Sequence, residues 1–205
     1  MKLIDISHVL GAETPNYPGD AALSLTKRRA LESDGWTSYL LTSGLHTGTH
    51  IDVPMHFLHD DKTAADFPVD CFVGDGVLLD VRGETRIAMK PLYEGMALTG
   101  SVVLLYTGFD AHYGAEAYFA DHPEVSEELG DFLISRKIKM LGMDMPAPDR
   151  PPFALHKALL ANGIFVLENL TNLGSLQGIG NFEVMALPLK ITAEASFARA
   201  VCRVG

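Results

Sequence analysis

Three histidines and one aspartate lie close together in the stretch HTGTHIDVPMHF, residues 46–57, as His46, His50, Asp52 and His56. Imidazole nitrogens and carboxylate oxygens are common ligands of zinc and manganese, and a histidine that stays unligated beside a metal can transfer protons. The stretch therefore predicts a metal site, and it raises the question of whether one histidine is a catalytic base beside it. The alternative, a polar hydrogen-bonded turn, would leave several imidazoles partly buried without partners.

The spacing of these residues disfavours both regular backbone conformations. Two ligands of one metal must bring their donor atoms within about 3–4 Å of each other, whereas residues four apart on a straight strand are separated by about 13 Å. Glycine, β-branched residues and Pro54 disfavour a helix. A bend at Gly48 would fold the later ligands back towards His46, and Pro54 would fix the direction in which His56 leaves the bend.

Two later residues are polar where their neighbours are apolar. His156 lies in the segment FALHKALL, and Glu168 ends the run IFVLE. A buried carboxylate destabilises a fold unless it is paired or bound to a metal. Each residue alone is more often an ordinary helix histidine or a solvated strand end. Together they flank one helix–strand turn, and α/β proteins gather their sites at strand ends, so both are candidate ligands.

Hydrophobic runs predict a strand-rich α/β protein with few helices. We expect strands at 2–9, 22–30, 36–44, 76–81, 101–108, 138–144, 164–168, 182–191 and 196–203. We expect one helix within 122–137, with Pro123 at its first position, and a second over 152–163. The order of strand, helix and strand from residue 138 to residue 168 predicts a right-handed βαβ crossover.

Composition limits the classes of partner. The chain has 205 residues, with 26 acidic residues against 16 basic ones and a formal net charge of -10. This length favours a single domain over 1–205. An acidic surface repels phosphate backbones and anionic membranes, so we expect neither nucleic acid nor a membrane as a partner.

The cysteines and the N-terminus predict a cytoplasmic location. Cys71 and Cys202 fit no ligand spacing, and we expect them to be thiols in a reducing compartment. Asp5 and His8 interrupt the N-terminal stretch where a secretory signal would be apolar. No apolar run approaches the roughly 20 residues that cross a bilayer.

The stretch HTGTHIDVPMHF resembles the HxGTHxDxPxHF signature of the cyclase-like metal-dependent hydrolases, a family that includes bacterial kynurenine formamidases and isatin hydrolases. Further segments resemble the family in the same order along the chain: NYPGD, LLYTGFDAHYG, LGMDMPAPD and IFVLENLTNL. The resemblance implies a swivelling β/β/α domain, usually assembled as a homo-oligomer such as a dimer or tetramer.

The resemblance also implies a ligand set for two divalent ions. His46, His50 and Asp52 would bind the first ion. Asp52 and Glu168 would bridge to the second ion, which His156 would complete. Imidazole and carboxylate ligands without a thiolate suit zinc, which we prefer, and also manganese.

The remaining implied roles belong to His56, as proton donor and acceptor, and to Tyr17, as a substrate contact. The implied reaction is hydrolysis of a small amide, an N-formylkynurenine-like compound, to formate and an aromatic amine by a metal-activated hydroxide. Formamidases typically carry tryptophan at the position of Tyr17, so hydrolysis of a cyclic amide or lactone such as isatin stays open. A non-catalytic metal-binding protein is the third alternative, and the free His56 argues against it.

Overall fold

Twelve strands form the framework of the protein in a computed structural model that describes residues 1–96 and 98–205. The first six strands are β1 (Lys2–Asp5), β2 (Ser24–Arg29), β3 (Ser38–Thr42), β4 (His50–Asp52), β5 (Val73–Asp80) and β6 (Arg86–Ile87). The other six are β7 (Val102–Tyr106), β8 (Glu124–Val125), β9 (Met140–Met143), β10 (Phe165–Glu168), β11 (Phe182–Pro188) and β12 (Ala195–Val204).

Helices are few and short, as the sequence predicts. The α-helices of the described residues are α1 (Leu31–Asp34), α2 (Ala117–Ala120), α3 (Glu127–Ser135) and α4 (Ala154–Ala161). Short 3-10 turns connect other elements, including one at Pro54–His56. Within the described part of the chain, no helix has the length and apolar character that a membrane crossing requires.

The main sheet has eight strands in the order β1-β12-β11-β5-β7-β9-β10-β4. Strand β4 also pairs with β12, so the last seven strands of this order close into a barrel-like ring. The pairs β5–β7, β7–β9 and β9–β10 are parallel, and the other pairs are antiparallel. Helix α4 connects the adjacent parallel strands β9 and β10, which confirms the predicted strand–helix–strand unit.

Both faces of the central strands are buried. In β7, Val102 and Leu104 belong to one apolar cluster, and Val103 and Leu105 belong to a second cluster on the opposite face. Helices α3 and α4 contribute Leu129, Leu133, Leu155 and Leu159 to the second cluster. This two-sided burial explains why the strand sequence SVVLLY shows no alternation of polar and apolar residues.

The predicted start of the first long helix is wrong. Residues 122–137 do not form one helix from Pro123, because Glu124–Val125 form β8 and pair with β6. Helix α3 begins at Glu127 instead. Its N-cap is Ser126, whose hydroxyl accepts a hydrogen bond from the Leu129 N–H at 3.2 Å. Serine is a stronger helix-start signal than a proline three residues earlier.

Other differences concern element ends and very short strands. Strand β1 ends at Asp5 rather than residue 9, because the chain leaves the sheet and Ser7 forms an isolated bridge with Leu170. The second helix begins at Ala154 rather than residue 152. The other predicted strands differ from the observed ones by at most three residues at either end. Strands β4, β6 and β8 were not predicted, since two or three residues carry no readable period.

Candidate metal centre

The chain bends at Gly48, as predicted. Its φ is +63°, in the left-handed region that glycine tolerates best. A Cβ at this position would also lie 3.1 Å from a methyl carbon of Leu10, so the bend has little room for a side chain. The bend brings His46 Nδ1 to 3.3 Å from His50 Nε2, which is the convergence that the spacing argument requires.

After the bend, His50–Asp52 form β4, which lies between β10 and β12. His50 and Asp52 face the site, whereas Ile51 points to the other side of the strand and is fully buried in the core. The register places His50 directly opposite Glu168 of β10, with His50 Nε2 3.3 Å from Glu168 Oε2. Strand pairing therefore brings the stretch at 46–57 against Glu168, a candidate ligand more than a hundred residues later.

Helix α4 brings His156 to the same place. Its Nε2 lies 3.0 Å from Glu168 Oε1, and both side chains are buried. On the other side of the ring, His156 Nδ1 lies 2.5 Å from Asp149 Oδ1. The second carboxylate oxygen of Asp149 accepts a hydrogen bond from the Leu155 N–H at 2.7 Å, so this residue holds both the histidine and the first turn of its helix.

Two groups of three side chains bring their donor atoms within 4.8 Å of one another. The first group is His46, His50 and Asp52, and the second is Asp52, His156 and Glu168. Asp52 belongs to both. The structure therefore brings together all five residues predicted as ligands, in the two groups that the resemblance implies.

The buried carboxylate of Asp52 gives a direct test of whether these residues fit a metal. Within residues 1–96 and 98–205, neither of its oxygens has a hydrogen-bond partner, although His46 Nδ1 is only 2.9 Å from Oδ1 and His50 Nε2 is 3.5 Å away. A buried carboxylate needs a cation beside it, and here that cation is either a protonated His46 or a bound metal ion. The donor set and this carboxylate fit divalent cations.

The electrostatic field at the site favours positive charge. Burial alone would lower the pKa of His46, but the Asp52 carboxylate raises it to about 9. Burial likewise opposes the charged form of His156, but Asp149 and Glu168 raise its pKa to about 10. Burial raises the pKa of Asp52, and the neighbouring histidines lower it well below its usual range. These positions attract either protons or metal ions.

Neighbouring groups orient the histidines that are candidate metal ligands. His50 Nδ1 donates to the Gly48 carbonyl at 2.8 Å, which leaves Nε2 free for a metal. Asn169 Nδ2 donates to the same carbonyl at 3.1 Å. His46 directs Nδ1 to the site, while its Nε2 lies 3.5 Å from Glu194 Oε1.

The sequence analysis does not predict a role for three residues that orient the histidines. Asp149 and Asn169 lie in the segments LGMDMPAPD and IFVLENLTNL, so position in those segments was an available signal. Glu194 lies in the loop before β12 and carries no signal of its own, because only the return of β12 to β4 brings this loop to the site.

His56 lies beside the ligands without belonging to either group. It ends the 3-10 turn that Pro54 begins, and its ring centroid is 4.1 Å from that of His46. Burial lowers the pKa of His56, and the His46 charge acts in the same direction against the opposing effect of Asp52. These effects on the pKa favour the neutral form of His56, which is the form that accepts a proton.

A cavity of about 280 Å³ opens above these residues. Its apolar walls include Tyr17, Phe57, Phe119 and Phe153, and Asp20 also lines it. The rings of Tyr17 and Phe119 meet edge to face with centroids 5.7 Å apart. Tyr17 therefore lines this cavity, its role as a substrate contact stays a prediction, and the aromatic walls suit a small planar substrate.

A strand-rich α/β fold with histidines and carboxylates gathered in an aromatic cavity is typical of a metal-dependent hydrolase. The chain belongs to the putative cyclase family, whose model matches residues 4–150. It is 35% identical to a kynurenine formamidase of Bacillus cereus, over 98% of this chain and 96% of that protein. A kynurenine formamidase of Bacillus cytotoxicus is 33% identical over the same shares of the two chains.

Solved structures agree on the fold. An isatin hydrolase A of Labrenzia aggregata, bound to benzyl benzoate, superposes with a TM-score of 0.88 at 24% identity, over 99% of this chain and 93% of that one. A potential metal-dependent hydrolase with cyclase activity has a TM-score of 0.79 at 23% identity, over 98% and 96% of the two chains. These similarities confirm the predicted strand-rich α/β class.

Proposed function

We propose that this protein is a metal-dependent amide hydrolase of the arylformamidase type, which cleaves N-formylkynurenine-like substrates to formate and an aromatic amine. The observation that carries the proposal is the buried Asp52, shared by two ligand groups beside the unligated His56. The full-length similarity to kynurenine formamidases supports the substrate class.

The ligands fit two divalent ions, of which zinc suits the imidazole and carboxylate donors and manganese is the second choice. His46, His50 and Asp52 would hold one ion, and Asp52, His156 and Glu168 the other. When bound, such ions polarise a carbonyl group and lower the pKa of water.

His56 is the group that moves protons in this proposal. As a neutral imidazole it accepts a proton from the attacking water and returns it to the nitrogen atom of the leaving amine. An amine leaves poorly unless it is protonated. The reaction therefore needs a group that is not bound to a metal ion and can carry the proton from the water to the amine nitrogen. The position of His56 beside His46, outside both ligand groups, meets that need.

The aromatic walls would bind and orient the substrate. Tyr17, Phe57, Phe119 and Phe153 can pack against an aryl ring and keep bulk water away from the carbonyl. The smaller formyl group would then face the side of the cavity that carries the proposed metal-binding residues. The same walls also fit a fused cyclic amide, so hydrolysis of an isatin-like ring is the second candidate.

An activity comparison separates these candidates. Purified protein is assayed with an N-formylaniline and with isatin, before and after treatment with a chelator. Arylformamidase activity should dominate, should disappear with the chelator and should return with added zinc or manganese. Faster turnover of isatin would favour the second candidate, and chelator-resistant hydrolysis would contradict a metal-dependent enzyme.

We also propose that residues 1–205 form one domain of a cytoplasmic homo-oligomer that acts on a small molecule. Pairing of Lys2 in β1 with Val204 in β12 places both ends of the chain in the main sheet, which supports a single domain. The acidic charge and the two free thiols are compatible with the cytoplasm.

A further inference from the structure

A turn over residues 17–20 contributes to one wall of the cavity, through Tyr17 and Asp20. The Asp20 N–H donates a hydrogen bond to the Tyr17 carbonyl at 3.0 Å. The side-chain amide of Asn16 donates to the Asp20 carbonyl at 3.0 Å and to the Tyr17 carbonyl at 3.2 Å. Asn16 also forms an isolated bridge with Thr47. The turn is therefore held beside the stretch at 46–57.

The turn does not depend on the carboxylate of Asp20. An aspartate in a turn often accepts hydrogen bonds from nearby backbone N–H groups. Here the side chain of Asn16 holds the turn instead, and the Asp20 carboxylate forms no hydrogen bond or ion pair with residues 1–96 or 98–205. Asp20 is exposed and lines the cavity. Its carboxylate is therefore available to a molecule that enters the cavity.

Asp20 is also the one acidic residue of the described lining that has no part in the proposed reaction. The five candidate ligands and His56 account for the other histidines and carboxylates there. The rest of the lining consists of aromatic and apolar residues and the amide of Asn169. Neither lysine nor arginine lines the cavity within the part of the chain that the structure describes. The lining thus offers a free carboxylate for a cationic group and no lysine or arginine for an anionic one.

An ammonium group suits this combination of side chains. A carboxylate accepts strong charge-assisted hydrogen bonds from an ammonium group, and the faces of aromatic rings attract the same charge. Tyr17 belongs to the same turn as Asp20, and its ring packs against that of Phe119 in the cavity wall. An anionic group placed beside Asp20 would be repelled.

We propose that Asp20 binds an ammonium group on a side chain of the substrate, so that the substrate is an N-formylated arylamine with a cationic side chain. The aryl ring lies between the aromatic walls, the formyl group faces the candidate ligands, and the ammonium group faces Asp20. N-formylkynurenine carries such an ammonium group next to a carboxylate. The inference rests on the proposed arylformamidase reaction and adds the charge of its substrate.

Three synthetic substrates and two matched variants test this assignment. The substrates are N-formylanilines with an ortho acyl chain that ends in an ammonium, a methyl or a carboxylate group, so they differ mainly in charge. Asp20→Asn removes the charge in the cavity. Glu13→Gln removes the same charge from an exposed residue of the same segment, outside the cavity lining. The kcat/KM for each substrate is measured with metal-loaded wild type and with both metal-loaded variants.

In the wild type, kcat/KM for the ammonium compound should exceed that for the methyl compound by about tenfold, and the carboxylate compound should be the poorest of the three. Asp20→Asn should reduce the ratio of the first two values to within about twofold of one, whereas Glu13→Gln should keep the wild-type ratio. Each ratio compares two substrates on one protein preparation, so a loss of folded enzyme cancels.

Hydrolysis without a preference for the ammonium compound would overturn the proposal while leaving the arylformamidase in place. A preference that survives in Asp20→Asn, or that Glu13→Gln reduces equally, would overturn Asp20 as the contact. Failure to hydrolyse any of the three compounds would overturn the proposed arylformamidase itself, and with it the binding of a formylated arylamine at Asp20.

Discussion

Single residues at the centre have separable tasks. Asp52 supplies a buried carboxylate to two ligand groups, His56 stays outside both, and Asp149 orients His156 from the far side of its ring. On the proposed roles, we expect loss of a ligand to remove an ion, loss of His56 to remove proton transfer, and loss of an orienting residue to weaken the binding of one ion. Each substitution therefore has its own signature in metal content and rate.

Replacement of His56 should separate proton transfer from metal binding. We expect His56→Ala to keep its full metal content and to lose about 10²–10⁴-fold in kcat for an N-formylaniline, the usual range for a general base. Metal analysis and steady-state kinetics measure the two effects. The matched control is His59→Ala, because His59 is an exposed histidine three residues later. Full activity in metal-loaded His56→Ala would exclude His56 as the base.

Replacement of Asp149 should weaken the ion at His156. An asparagine can still accept the Leu155 N–H through its oxygen, but its amide group then faces His156 Nδ1. That arrangement favours the tautomer with a proton on Nε2, the nitrogen nearest Glu168. We expect Asp149→Asn to lower affinity for one of two ions by about 10–100-fold.

Calorimetric metal titration measures this change, and thermal unfolding of the metal-free protein provides the control. Asp149→Asn should unfold near the wild-type temperature because the helix contact is kept. Asp149→Ala should lose both the affinity and part of the stability. Unchanged affinity for both ions in Asp149→Asn would show that Asp149 does not orient the ligand.

At the scale of elements, a buried carboxylate outside the two ligand groups joins the ends of two central strands. Asp144 follows β9 and accepts hydrogen bonds from the Thr107 N–H and hydroxyl and the Gly108 N–H, which follow β7. Burial nevertheless raises the pKa of Asp144 to about 6. The folded chain then binds more protons than the unfolded chain between about pH 4 and pH 6.

The sign of this shift gives a stability prediction. Ionisation of Asp144 should destabilise the fold as pH rises through that window. The free energy of unfolding of the wild type, minus that of Asp144→Asn, should fall by roughly 1–3 kcal/mol between pH 4 and pH 6 and then level off. Urea unfolding with a chelator present measures it without interference from metal binding. A difference that rises with pH would mean that the three hydrogen bonds outweigh burial.

Much of the site was predictable because its signals are local. The types and spacing of His46, His50 and Asp52 required a bend, and Gly48 supplied it. His156 and Glu168 stood out as polar residues in apolar segments. The strand β4 was not predictable, because three residues show no period and its position between β10 and β12 depends on long-range pairing.

At the scale of the whole molecule, sheet closure assembles the centre. The ring brings β4 against β10 and β12, so a ligand stretch near residue 50 meets ligands more than a hundred residues later. Neither the stretch at 46–57 nor the later segment with His156 and Glu168 can form both ligand groups alone, since Asp52 lies in the first and Glu168 in the second. Metal binding should therefore depend on the closed sheet and stabilise it.

Metal stoichiometry of the purified wild type and of Asp52→Asn tests the shared site most directly. After dialysis against zinc, elemental analysis should find two ions per chain in the wild type. Because Asp52 belongs to both ligand groups, the variant should retain less than one ion per chain, while Glu183→Gln, an acidic residue of β11 outside the site, should retain two. A wild type without bound metal, or an Asp52→Asn protein that still holds two ions, would contradict a binuclear centre built on Asp52.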